Sequence, residues 1–153
     1  MTLNPYGRVA QEIARALGAP QPGGAPLPPS EHPVDLAAVA AAPDAKVRVR
    51  AWSTGIPGFG VRVELATTVD DARLAQIIDS VFASVWRACP RTPDAVSVAV
   101  ARRSELPAID EVLDYADLHV PAVLLGLAAD VRRFGNIRLE RAELEARYGE
   151  RAE

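Results

Sequence analysis

Residues 68–89, TVDDARLAQIIDSVFASVWRAC, constrain this chain more than any other stretch. Leu74, Ile77, Ile78, Val81, Phe82, Val85 and Trp86 recur at helical spacing, which lines them up along one side of an α-helix. A stripe this apolar has to be buried, so the rest of the chain must supply a surface to receive it. Thr68 stands as the expected N-cap, Asp70 and Asp71 put negative charge where the helix dipole favours it, and Pro90 stops continuation.

The receiving surface reads as β-structure. Residues 46–52, KVRVRAW, alternate Val47, Val49 and Ala51 with Lys46, Arg48, Arg50 and Trp52. Residues 60–66, GVRVELA, oppose Val61, Val63 and Leu65 to Arg62 and Glu64 in the same way. The short loop over 53–59 predicts an antiparallel hairpin with one face on the core and a charged face toward water. Residues 95–101, AVSVAVA, predict a third strand whose second face carries only Ser97 and Ala99, small enough for another element or a second copy to approach.

Further along, Ile109, Val112, Leu113 and Ala116 are spaced for one helical face, and residues 121–135 predict another helix closed by Gly135. Periodicity alone leaves a strand open for 122–127. NIRLE, 136–140, reads as a short strand and 141–148 as a terminal helix ending at Gly149. The expected class is α+β: a two-layer sandwich in which a small, mainly antiparallel sheet is covered on one face by helices.

At 153 residues the chain has room for one core. Its start, residues 1–18, predicts an amphipathic helix with Asn4 as cap, Pro5 in the first turn and Val9, Ile13 and Leu17 on one face. Residues 19–45 are rich in Pro, Gly and Ala and read as a linker, with a brief helix over 35–42. Residues 46–153 are then the single α+β domain.

The net charge of -3 and pI near 5.4 argue against a general nucleic-acid binder. The first residues lack a basic leader followed by an unbroken apolar run, and the apolar run over 120–129 is half the length that a bilayer demands, so a cytoplasmic protein with no membrane span is expected.

No cofactor or metal site is expected. The loop TGIPGFG, 54–60, has no lysine and leads into a strand, whereas phosphate loops open a helix. Cys89, the lone cysteine, sits at the negative end of its helix, where a thiolate is disfavoured. The expectation is therefore a non-enzymatic interaction or assembly module, acting on a protein partner or on itself through Val9, Ile13, Leu17, Ile56, Phe59 and Trp52. One alternative is a small enzyme or ligand-binding domain with its pocket near His119, where Asp114 and Asp117 stand close in sequence. Another is single-stranded nucleic-acid binding on the hairpin face of Arg48, Arg50, Arg62 and Trp52.

Overall fold

A computed structural model describes residues 33–53, 55, 58–108, 115–127, 132–133 and 136–151. Among the described residues nine elements follow one another: α1 (Pro33–Ala41), β1 (Lys46–Ser53), β2 (Phe59–Ala66), α2 (Asp71–Ala88), β3 (Ala95–Ala101), α3 (His119–Leu124), β4 (Arg132–Arg133), β5 (Asn136–Glu140) and α4 (Arg141–Tyr148). The strands form one sheet in the order β1-β2-β3-β5-β4. Three neighbouring pairs are antiparallel and one, β2 with β3, is parallel, with α2 as the crossover between them. The α+β sandwich and its mainly antiparallel sheet are thus present.

Helix α2 carries the apolar stripe as expected. All seven of its large apolar side chains are at most 1% exposed. They join Val61, Val63, Leu65, Val96, Val98, Val100, Ile137 and Leu139 from the facing side of the sheet in a single core. The cap differs from expectation: Asp70, not Thr68, occupies the N-cap, and its Oδ1 accepts the Arg73 backbone N–H at 2.8 Å. The carboxylate is the stronger acceptor there, and it adds charge at the dipole's positive end. At the other end the indole Nε1–H of Trp86 donates to the carbonyl of Gly149, the C-cap of α4, at 2.9 Å and ties that helix end to α2.

Helix α1 lies within the stretch that composition assigns to the linker, yet it buries Val34 and Ala38 in the core, as does Ala42 directly after it. The expected N-terminal helix, with Val9, Ile13 and Leu17, lies outside the described residues, as does the helix expected around Ile109, Val112 and Leu113.

The helix expected over 121–135 is corrected. It begins at His119 and ends at Leu124, because Gly126 takes φ 71° and turns the backbone out of the helical path. Its N–H donates to Val123 O at 3.0 Å, while that of Leu127 returns to Ala122 O at 3.0 Å. Arg132–Arg133 then pair as β4 with β5. The short helix leaves Val120, Val123 and Leu124 exposed. Helix α4 matches its expected span and opens on a reciprocal capping box between Glu140 and Glu143.

If α2 is the clamp of this core, Phe82→Ala will cost about 3–5 kcal/mol of unfolding free energy in urea titrations, while Val123→Ala, on the exposed helix, will change it by no more than about 0.5 kcal/mol. Equal losses would mean that the stripe is not what holds the layers together.

Candidate functional site

The sheet's second face, away from α2, carries the polar residues of the strands. Its layout follows from the register alone, since residues paired across neighbouring strands share a face. One row runs Arg48, Glu64, Ala99, Asn136; the next Arg50, Arg62, Ser97, Arg138; the third Trp52, Gly60, Ala95, Glu140. The middle row therefore sets three arginines side by side with Ser97 as the floor between two of them. Arg50 and Arg62 are direct cross-strand partners. Like charges in that position destabilise a sheet.

Glu64 is the nearest relief. Contrary to the expectation of a charged face turned to water, it is wholly buried, 0% exposed. Arg48 Nη2 stands 2.6 Å from its Oε2 and Arg50 Nη1 3.1 Å from Oε1, both as hydrogen bonds, and Arg62 Nε lies 3.6 Å from Oε1 as an ion pair. The Tyr115 hydroxyl donates to the same carboxylate from above. Tyr115 is brought there because the Ala116 N–H, next in the chain, bonds to Val100 O at 2.7 Å beyond the end of β5. The Arg62 guanidinium lies over the Tyr115 ring, 5.3 Å from the centroid.

Burial by itself would raise the Glu64 pKa, but hydrogen bonds from Arg48, Tyr115 and Arg50 outweigh it and hold the carboxyl at about 2. Burial, with Glu64 as neighbour, pushes the Tyr115 phenol above its usual range, so it stays a donor.

Trp52 reaches from β1 across β2. A Cβ placed on Gly60 would stand 2.2 Å from the indole Cζ2, so only glycine admits the ring at that spot. From β5 the Arg138 guanidinium approaches to 5.5 Å from the Trp52 ring centroid, while its Nε donates to Glu140 Oε1 at 2.9 Å. Between these walls lies a hollow of about 350 Å³ lined by Arg50, Ala51, Trp52, Arg62, Ser97, Asn136 and Arg138.

The other sequence candidates are scattered. Phe59 is not a loop-tip contact: it begins β2, is 2% exposed and lies in the core, with Arg91 stacked over its ring. Ile56 lies outside the described residues. Of the two named partner residues that are described, Phe59 and Trp52, only Trp52 lines the hollow. His119 is exposed at the start of α3, and its backbone N–H donates to Asp117 Oδ1 at 3.1 Å, while Asp114 lies outside the described residues. Neither the arginine hollow nor a second, shallow one beside Asp44 and Thr67 is lined by His119.

Cys89 is 1% exposed; burial pushes its thiol up to about 12, with Arg151 working weakly the other way. Among the described residues no group of three His, Cys, Asp or Glu side chains could hold a metal ion, and no helix is long and apolar enough to cross a membrane. The residues that sequence reasoning missed are Glu64, Tyr115, Ser97, Asn136 and Arg138. The available signal was a single Glu among three arginines on one hairpin face.

Two outcomes test this geometry. The folded Glu64 value lies below the unfolded one, so its contribution to stability is complete above about pH 5 and is lost as pH falls toward 2; the drop from 4.5 to about 2 corresponds to roughly 3 kcal/mol. Urea titrations should show Glu64→Gln less stable than the parent by that amount at pH 7, with the gap closing toward pH 2; a gap independent of pH would contradict the buried ion cluster. Gly60→Ala, in turn, should shift the Trp52 indole N–H resonance strongly and leave that of Trp86 in place. An unmoved Trp52 signal would mean that the ring does not lie over β2.

No protein family, curated protein or solved structure is found to match this chain.

Proposed function

We propose that this chain is a non-enzymatic binding module whose working surface is the arginine-lined hollow on the open face of the sheet, where it receives an anionic group from its partner. The observation that carries this reading is the middle row: Arg50, Arg62 and Arg138 share it with no carboxylate in the row, and their counter-charges, Glu64 and Glu140, stand in the rows on either side. Repulsion between directly paired arginines opposes folding, and an anion in the hollow would reverse its sign. Charge distribution supports the same reading. The chain is acidic as a whole, yet this face sets Lys46, Arg48, Arg50, Arg62 and Arg138 against Glu64 and Glu140. Such local excess attracts anions from a distance and orients them on arrival.

Among the three expected functions, the module reading keeps its place with a different surface: the arginine row and Trp52 instead of Phe59. Single-stranded nucleic acid draws less support, because the Trp52 ring packs over Gly60 and beneath Arg138, a poor platform for stacking a base.

Titration of the ¹⁵N-labelled full chain with citrate and with inorganic phosphate at low salt tests this function. Saturable shifts of the Trp52 indole and of the Arg50, Arg62 and Arg138 side-chain signals are expected, weakened by added salt and removed by Arg50→Glu. Shifts that never saturate, or that survive Arg50→Glu unchanged, would overturn it.

A further inference from the structure

We infer that the anion this hollow is built to take is the doubly charged phosphate of a small phosphomonoester. The inference rests on the binding-surface reading above and narrows it from anions in general to one class. Three features of the hollow carry it.

The first is the donor set. Arg50, Arg62, Ser97, Asn136 and Arg138 line one space, the last with its Nε on Glu140 Oε1 at 2.9 Å and the rest of its guanidinium over Trp52. A carboxylate offers two oxygens in a plane, whereas a terminal phosphate offers three in a tripod. Donors that come from β1, β2, β3 and β5 surround a tripod better than they flank a plane.

The second is competition from within. Glu64 already holds Arg50 at 3.1 Å and attracts Arg62 at 3.6 Å, so a monoanion entering the hollow replaces one carboxylate by another of equal charge. A dianion gains where a monoanion breaks even. The exchange does not strand Glu64, because Arg48 at 2.6 Å and Tyr115 remain on it. Arg50 and Arg62 also stand farther from Glu64 than Arg48 does, and the Arg50 side chain, 46% exposed, is open to an incoming anion.

The third is size. About 350 Å³ is at the lower end of small-molecule pockets, enough for a phosphate with a compact organic group resting on Ala51 and Trp52. A nucleic-acid backbone offers singly charged diesters, and these lack both the second charge and the third free oxygen.

Calorimetric titration of the full chain with phenyl phosphate, benzenesulfonate and benzoate separates these ideas, since the three share one ring and differ in charge and oxygen count. Phenyl phosphate should bind at least about tenfold more tightly than either monoanion. Arg138→Gln and Arg50→Gln, each checked by circular dichroism for an intact fold, should remove most of that preference. Equal affinity for all three would overturn the dianion inference while leaving the anion-binding function standing. Absence of binding by any of them would overturn both. Binding of a short oligothymidylate at least as tightly as phenyl phosphate would likewise overturn the inference, in favour of a diester.

Discussion

Everything in this fold leans on the contact between α2 and the valine face of the sheet. Helices α1, α3 and α4 all pack against α2, so each reaches the core by touching a side chain of that rod or its neighbours. The sheet depends on it as well. β2 and β3 are parallel, and a parallel pair exists only if the connection between them travels over the sheet. That connection is α2. One amphipathic segment thus supplies the crossover, the roof and the stripe against which the remaining helices are laid.

Much of this was legible, and for a specific reason. Where one face carries large apolar side chains and the other carries polar or small ones, period speaks plainly: the hairpin, β3, β5, α2 and α4 all show it. It failed where a backbone turn decided the outcome. Gly126 stands inside an apolar run that reads as continuous helix, and nothing in its composition says that the chain leaves the helix at Leu124. At α1 the brief helix expected over 35–42 is present, but Val34 and Ala38, and Ala42 just after it, are too small to announce from within a proline-rich stretch that they join the core. Phe59 read as a loop tip because strand ends are the least determined part of any pattern.

The polar face was harder. Alternation put Arg48, Arg50, Arg62 and Glu64 together but could not bury Glu64, because Tyr115, which closes over it, arrives from a segment distant in sequence whose own pattern read as helical. Ser97 and Ala99 suggested the close approach of another element or a second copy; in the structure both are buried, and Ser97 lines the hollow between Arg62 and Arg138. Arg138 joins the row only through β5, whose place beside β3 depends on a strand order that no local motif encodes. The rows across the sheet are therefore a property of register, invisible until the strands are laid next to each other.

The central position of β3 bears on how the chain is made. Its valines and alanines are hidden on both faces, and its backbone is flanked by β2 on one side and β5 on the other. β2 has left the ribosome before β3 appears, whereas β5 emerges only after the segment that carries α3 and β4. During that interval a strand with almost no charge has one unsatisfied edge, the kind of exposure that recruits neighbouring chains into aggregates. Arg102 and Arg103, directly after β3, stand where gatekeeper charges would discourage such recruitment until the last strand docks.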